Sequence, residues 1–112
     1  MRISRELLKG STTMLVLSLL ENENMYGYEM IKKLTEKSKN VFEFQEGTLY
    51  PILHSLEEKN YITSYWDKTV AKKRKYYSIT KKGKDVLKEK EVEWKIFSNG
   101  VNKVLGGVSF AN

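Results

Sequence analysis

The chain has 112 residues, of which 40% are hydrophobic and 30% charged, a size and balance typical of one soluble domain. It contains no cysteine and a single histidine, His54, which excludes disulfides, thiolate metal sites and a metal cluster built on histidines. The net charge is +6, but eight basic residues and no acid lie between Lys68 and Lys84, so the remaining 12 basic and 14 acidic residues sum to −2.

The first two predicted helices occupy the N-terminal third of the chain. Residues 3–21 favour a helix with a broad apolar surface, Ser4 as N-cap and a loosening at Gly10. The polar segment Glu21–Met25 predicts a turn. A second helix over Tyr26–Lys37 has its apolar residues at helical spacing, which gives it one inward face.

A third amphipathic helix is predicted over Glu46–Lys59. Pro51 is assigned to its first turn, where a missing N–H costs little because those donors have no partner inside the helix. The apolar residues that recur at i, i+3, i+4 and i+7 are Leu49, Ile52, Leu53 and Leu56.

The periodicity then changes to that of strands. Tyr61–Trp66 and Lys75–Thr80 are rich in tyrosine, isoleucine, threonine and tryptophan, and the basic segment Asp67–Arg74 joins them as the long tip of a hairpin. Thr80 is then expected to cap a final helix over Lys81–Leu105, which the following glycine pair would end.

Three short helices followed by a hairpin is the element order of a winged helix-turn-helix, in which the third helix enters the major groove and the wing reaches the backbone. The predicted outward face of the third helix is small or hydrogen-bonding in its N-terminal half. It consists of Gly47, Pro51, His54 and Glu58, and it is flanked by Thr48, Tyr50 and Ser55. In the hairpin, the cations are Lys72, Lys73, Arg74 and Lys75, which suit contact with phosphates. Of the neighbouring Tyr76 and Tyr77, alternation places one in the core and leaves open which.

The same residues carry a resemblance to a known family. The chain resembles the PadR family of bacterial transcriptional regulators over nearly its whole length, from Leu7 to Leu105. The motifs that carry it are Leu7-Leu8-Lys9-Gly10, Tyr26-Gly27-Tyr28-Glu29, Glu46-Gly47-Thr48-Leu49-Tyr50-Pro51 and Arg74-Lys75-Tyr76-Tyr77. The last two, at this spacing, are the most specific.

The resemblance implies a mainly α fold with a small β-hairpin: a winged helix-turn-helix in residues 1–80 and a long C-terminal dimerisation helix in residues 81–112. It implies a dimeric, sequence-specific DNA-binding regulator, usually a repressor released by a small molecule. The residues expected to contact the double-stranded operator are Tyr26, Tyr28, Thr48, Tyr50, Pro51, His54, Lys72, Lys73, Arg74, Lys75 and Tyr77. The chain departs from the family pattern at Met25, Gln45 and Ser55, and the serine replaces a frequent arginine, so base preference cannot be transferred from relatives.

The final helix predicts a homodimer. Leu87, Trp94, Val101 and Val108 recur every seven residues, a stripe typical of a helix that packs on a partner helix. We expect a two-fold dimer built from the first and last helices, which would present two reading heads. Its predicted interface residues are Leu7, Leu8, Leu15, Leu87, Trp94, Phe97, Val101 and Val104.

Trp94 has two interpretations. The resemblance implies that a tryptophan of this helix lines a pocket for a small aromatic or phenolic effector in one subgroup of the family. The alternative is a large apolar anchor of the interface, since aromatic residues are favoured there.

Other classes of function receive less support. With one histidine, no cysteine and scattered acids, we find no nucleophile with a base and an orienting group, so we expect neither an enzyme nor a cofactor or metal site. A winged-helix module that binds protein instead of DNA is the main alternative, and a solvated lysine-rich loop is the plain interpretation of the basic window. RNA fits less well because its major groove is deep and narrow.

Overall fold

The computed structural model describes residues 3–69 and 71–107, and it confirms a mainly α fold with a long C-terminal helix. Val108 of the predicted stripe, and the rest of the 81–112 segment beyond residue 107, lie outside the described residues. The elements in chain order are α1 (Arg5–Lys9), α2 (Thr12–Asn22), β1 (Met25–Tyr26), α3 (Gly27–Lys37), α4 (Glu46–Glu58), β2 (Ile62–Asp67), β3 (Arg74–Ile79) and α5 (Lys81–Val104).

The predicted first helix is two helices. The side chain of Ser4 accepts a hydrogen bond from the Leu7 amide, which confirms the N-cap of α1. The chain then breaks at Gly10 and Ser11 before α2 begins. The Ser11 amide and the Thr12 hydroxyl both donate to the Leu8 carbonyl at 3.0 Å, so this carbonyl at the end of α1 has two partners.

A single hydrophobic core forms around α2. Its centre is Val16 and Leu17, which are fully buried, and helices α3, α4 and α5 all contribute to it together with the sheet. The other buried apolar residues are Leu19, Leu20, Met25, Met30, Leu34, Phe44, Leu49, Leu53, Leu56, Ile62, Tyr77 and Leu87.

The sheet has three strands in the order β1-β3-β2, and not two as predicted. Strand β1 pairs antiparallel with β3, with Met25 opposite Tyr77 and Tyr26 opposite Tyr76. The prediction of a turn that includes Met25 is therefore wrong. A strand of two residues is too short to produce an alternating pattern, and it forms because the edge of β3 offers it hydrogen-bonding partners.

Helix α4 begins at Glu46 as predicted, but Pro51 is its sixth residue and not part of the first turn. At this position the ring replaces an N–H that would bond to the carbonyl of Gly47 four residues earlier. Gly47 is exposed, so water can satisfy its carbonyl, and the cost of the proline remains low.

The root of α5 is fixed tightly against the sheet. The side chain of Thr80 accepts a hydrogen bond from the Gly83 amide at 3.0 Å and donates to the Asn60 carbonyl at 2.7 Å, which confirms the predicted N-cap. A Cβ at Gly83 would lie 2.1 Å from the Tyr61 carbonyl oxygen, so only glycine allows this approach. After Leu87, which is buried, most residues of α5 are exposed.

The C-terminal end of α5 follows the prediction closely. The helix ends at Val104, and Gly106 and Gly107 follow it with φ of +110° and +73°, a conformation that favours glycine.

No helix within residues 3–69 and 71–107 is both long enough and apolar enough to span a bilayer.

Candidate nucleic-acid interface

One side of α4 is free of contacts with the core. Leu49, Leu53 and Leu56 face inward, as predicted, and Ile52 packs partly against the core. The opposite side, which we call the reading face, is exposed and consists of Gly47, Thr48, Tyr50, Pro51 and His54. The N-cap Gln45 makes no side-chain hydrogen bond to the helix start.

Tyr50 is held close to the start of α3. A Cβ at Gly27 would lie 2.7 Å from the Tyr50 hydroxyl oxygen, so the missing side chain of Gly27 makes room for the phenol ring. Tyr50 still exposes 43% of its surface. Tyr28, one residue after Gly27, is also exposed, and the Lys32 ammonium lies 5.8 Å from its ring centroid. Two tyrosines of separate helices are thereby brought to the same side of the protein.

His54 has a partner on its own helix. Its Nε2 lies 2.7 Å from a carboxylate oxygen of Glu58, one turn further along α4, and both side chains are largely exposed. The contact engages one nitrogen of an imidazole that is itself largely exposed.

The wing, which we define as residues 62–79, has its cations in two different situations. Lys72 and Lys73 are exposed, and within the described part of the chain no carboxylate oxygen lies within 4.0 Å of either ammonium group. Arg74 lies over the Tyr26 ring, 4.6 Å from its centroid, in a cation–π contact. Lys75 approaches Glu57 of α4, with 3.7 Å between nitrogen and oxygen.

The start of the wing tip is closed by a local turn. The Thr69 amide and hydroxyl donate to one carboxylate oxygen of Asp67 at 2.9 and 2.6 Å. These hydrogen bonds, assisted by Arg74, hold the pKa of the Asp67 carboxyl below its usual value. The carboxylate therefore stays ionised and keeps the turn in place at neutral pH.

The two faces of the sheet carry different tyrosines. Tyr26, Tyr76 and Tyr65 lie side by side across the three strands on the outer face, with ring centroids 5.5 and 5.8 Å apart. Tyr77 points to the other face and is 4% exposed. Burial, with the nearby Glu57 as a second cause, raises the pKa of the Tyr77 hydroxyl.

The contact of Tyr77 with DNA stays a prediction, and the structure leaves only 4% of this side chain accessible, at the wall of the cleft described below. The side chain belongs mainly to the hydrophobic core, and alternation along β3 places Tyr76, not Tyr77, on the outer face of the sheet. The sequence alone does not show which of the two points inward, because adjacent residues of the same type fit either face of a strand.

A cleft of about 750 Å³ joins α4, the start of α3 and the wing. It brings together predicted residues from three elements, whereas Thr48, Pro51 and His54 lie on the reading face outside it. Three lining residues, Gly27, Glu46 and Trp66, were not predicted. Trp66 is 57% exposed and lies opposite Lys75 in the sheet. An aromatic residue near a cation in the predicted hairpin is the sequence signal that could have identified it. The predicted residues that line the cleft are Tyr26, Tyr28, Tyr50, Lys72, Lys73, Arg74, Lys75 and Tyr77.

A second exposed region lies on α1 and the outer part of α5. We call it the open stripe, and each of its residues exposes more than a third of its surface. Leu8 and Leu15 of the predicted interface pack partly against the protomer's own core. Leu87 is 1% exposed, so it is a core residue and is not available to a partner, which corrects its prediction. The open stripe consists of Leu7, Trp94, Phe97, Val101 and Val104.

Trp94 borders a cavity of about 320 Å³ between α1 and α5. Leu7, Met14 and Phe97 supply apolar walls, and the ring centroids of Trp94 and Phe97 are 6.0 Å apart. Glu6 and Glu93 bring two carboxylates and Lys90 one ammonium group to the rim. Among the described residues no three histidine, aspartate or glutamate side chains are grouped as metal ligands would be.

Comparison with known proteins places these features in a family. The family model described as "Transcriptional regulator PadR-like family" matches residues 16–89, which include α3, α4 and the wing. An uncharacterised protein from Lysinibacillus sphaericus is 34% identical over 93 residues, which are 82% of this chain and 85% of that protein.

Several solved structures are similar over most of their length. A transcriptional regulator from Clostridium thermocellum is 35% identical with a TM-score of 0.83, over 88% of this chain and 96% of that chain. A PadR family transcriptional regulator from Eggerthella lenta is 40% identical with a TM-score of 0.81, over 90% and 87%. A PadR-like regulator from Bacillus cereus is 33% identical with a TM-score of 0.79, over 92% and 99%. The family is one of regulators and not of enzymes, and this chain belongs to the PadR-like family of transcriptional regulators.

Proposed function

We propose that the protein is a sequence-specific repressor that binds a double-stranded DNA operator in the cytoplasm as a homodimer and is released by a small ligand. The observation that carries the DNA-binding part is the shared cleft. The wing cations Lys72–Lys75 and the first half of α4, through Tyr50, line the same concave surface, although they are distant in sequence.

The wing supplies affinity in this proposal. Lys72 and Lys73 are exposed, long and flexible, and each can neutralise a phosphate and release a counterion. The sequence window around them contains no acid, and within the described part of the chain neither ammonium group has a carboxylate oxygen within 4.0 Å. Tyrosine hydroxyls of the cleft can donate to phosphate oxygens as well.

The reading face supplies sequence choice. Thr48 and His54 carry hydrogen-bonding side chains on the exposed side of α4, and Pro51 offers an apolar contact such as a thymine methyl group. Gln45 does not cap the start of α4 with its side chain, so the amides of the first turn can donate to a phosphate oxygen. Base preference then depends on these side chains, and phosphate contacts hold them in register.

The open stripe supports the dimer. Trp94, Phe97 and Val101 repeat on one side of α5, beyond the part of the helix that its own domain covers. A second copy related by a two-fold axis would cover this side and place two reading faces on DNA. Half-sites about 34 Å apart would then fit one face of the double helix.

The cavity beside Trp94 supports a ligand. It combines aromatic walls with a rim of two carboxylates and one ammonium group, which suits a small aromatic compound. A ligand lowers DNA affinity only if it binds unequally to the two arrangements of the dimer. The alternative role of Trp94 is that of an interface anchor, and fluorescence titration with planar aromatic compounds distinguishes the two, since an anchor alone gives no saturable quenching.

Selection of bound fragments from a random pool of DNA tests the proposal. A repressor of this design enriches two inverted half-sites about one helical turn apart, and its affinity falls steeply as salt rises. A winged-helix module that binds protein would enrich no sequence, and a solvated loop would give no binding at 50 mM salt. Either result would exclude the proposed function.

A further inference from the structure

Glu57 connects the recognition helix α4 to both strands of the wing. It lies near the C-terminal end of α4, and its side chain is 28% exposed. The Ser64 hydroxyl of β2 donates to one carboxylate oxygen at 2.8 Å, and the Lys75 ammonium of β3 lies 3.7 Å from the other. Both oxygens of one carboxylate are thus engaged by two different strands.

The register of the sheet explains why these groups meet. Ser64 is directly opposite Tyr77, and Lys75 lies two residues before Tyr77 on the same face of β3. This is the face that packs against α4. The Lys75 ammonium also lies 5.7 Å from the Tyr77 ring centroid, so an anion and an aromatic ring of the protein both attract it.

Lys75 therefore differs from its neighbours in the wing. Lys72 and Lys73 are exposed and have no carboxylate partner among the described residues, whereas the Lys75 side chain is 39% exposed and directed to α4. A lysine that contacts a phosphate either has no carboxylate partner in the protein or must first lose that contact. The structure divides the basic residues of the wing by geometry, although the sequence presents them as one run.

We propose that Glu57 is a positioning residue that fixes the wing relative to the recognition helix through Ser64 and Lys75, and that Lys75 serves this connection and not a phosphate contact. The inference rests on the proposed DNA binding for its functional consequence. The connection keeps the free cations at the wing tip at a constant distance from the reading face, so both can engage one DNA segment together.

The sign of the effect of Glu57 makes the proposal testable. A carboxylate near a polyanion repels it, so simple electrostatics predicts that Glu57→Gln strengthens DNA binding. If Glu57 positions the wing, the same substitution weakens binding, because the wing then has to be ordered when DNA binds. The two explanations predict opposite directions for one isosteric change.

The experiment compares Glu57→Gln, Lys75→Met and the matched control Lys73→Met in the full-length protein, with the operator found by selection. We measure affinity as a function of salt. Lys73→Met should make the slope of log K against log salt shallower by about 0.9 per subunit. Glu57→Gln and Lys75→Met should each weaken binding by about two- to five-fold per subunit, the strength of an exposed pair, with an unchanged slope. The double variant should bind no more weakly than either single variant, because both remove one connection.

A second measurement needs no DNA. Amide hydrogen exchange in β3 should be faster in Glu57→Gln than in the native protein, and unchanged in Lys73→Met. Ser64→Ala, which removes the other contact of the carboxylate, should show the same direction and serves if Glu57→Gln unfolds. Thermal unfolding of each variant verifies that the domain remains folded.

The results separate failure of this inference from failure of the proposed function. Tighter binding by Glu57→Gln, a shallower salt slope for Lys75→Met, or unchanged exchange in β3 would each overturn the positioning role. If the native protein selects no DNA while exchange in β3 responds to Glu57→Gln, the connection exists and the proposed DNA-binding function is wrong.

Discussion

Phe97 is the more exposed of the two aromatic residues of the open stripe, and its removal gives a prediction with a calculable size. Phe97 exposes 58% of its surface in the single chain. Since a phenylalanine side chain offers about 200 Å², covering the exposed part removes about 115 Å² from water in each subunit. At about 25 cal/mol/Å² this stabilises the dimer by about 3 kcal/mol per subunit.

Phe97→Ala should therefore weaken dimerisation strongly. Both subunits lose the ring, and alanine retains roughly a third of the apolar area, so the net loss is about 4 kcal/mol, or about a thousand-fold in the dimer Kd. Val92→Ala is the matched control. Val92 is also 58% exposed, but it lies about 160° around α5 from the middle of the open stripe. Its removal should leave the dimer Kd unchanged.

Sedimentation velocity over a series of protein concentrations measures both constants. The reasoning fails if the native chain remains monomeric at micromolar concentration. It fails equally if Phe97→Ala and Val92→Ala change the dimer Kd by the same factor, because the stripe would then have no special role.

Three further predictions concern the site and the core. Lys72→Met with Lys73→Met should weaken binding to all DNA alike and make the salt slope of a dimer shallower by about 3.6, and an unchanged slope in filter binding would contradict the phosphate role. Thr48→Ala should change the sequences enriched from a random pool more than it changes affinity for unspecific DNA, whereas an identical enriched motif would remove Thr48 from the reading role. Because burial raises the pKa of Tyr77, its neutral form stabilises the fold fully below pH 10, and this contribution is lost as the pH rises through the raised pKa. Denaturant unfolding between pH 8 and pH 11 should thus show a smaller decline for Tyr77→Phe than for the native chain, and equal declines would refute the assignment.

Local signals in the sequence predicted most of the elements. Capping by Ser4 and Thr80 depends on a side chain and an amide three residues later, so such contacts follow from neighbouring residues alone. The inward and outward sides of α4 likewise follow from the helical repeat of its leucines. The family resemblance then identifies these elements as those of a transcriptional regulator.

Features that depend on distant partners were mispredicted or left open. Strand β1 exists because β3 lies beside it, and no pattern of two residues predicts such pairing. Leu87 and Phe97 both fit the repeat of a partner-facing helix, but α2 covers the first part of α5 and leaves the second part open. Lys75 and Glu57 are far apart in the sequence, and only the packing of α4 on the sheet brings them into contact.

The rooting of α5 has a mechanical consequence for regulation. Thr80, Gly83 and Leu87 fix the N-terminal end of α5 in the domain, whereas the remaining turns are largely exposed and border α1 at the cavity beside Trp94. A helix of 24 residues is about 36 Å long, so a tilt of 10° moves its far end by about 6 Å. In the proposed dimer, a ligand bound beside Trp94 would need to tilt the two α5 helices only slightly. The distance between the two reading faces would then no longer match the helical repeat of DNA.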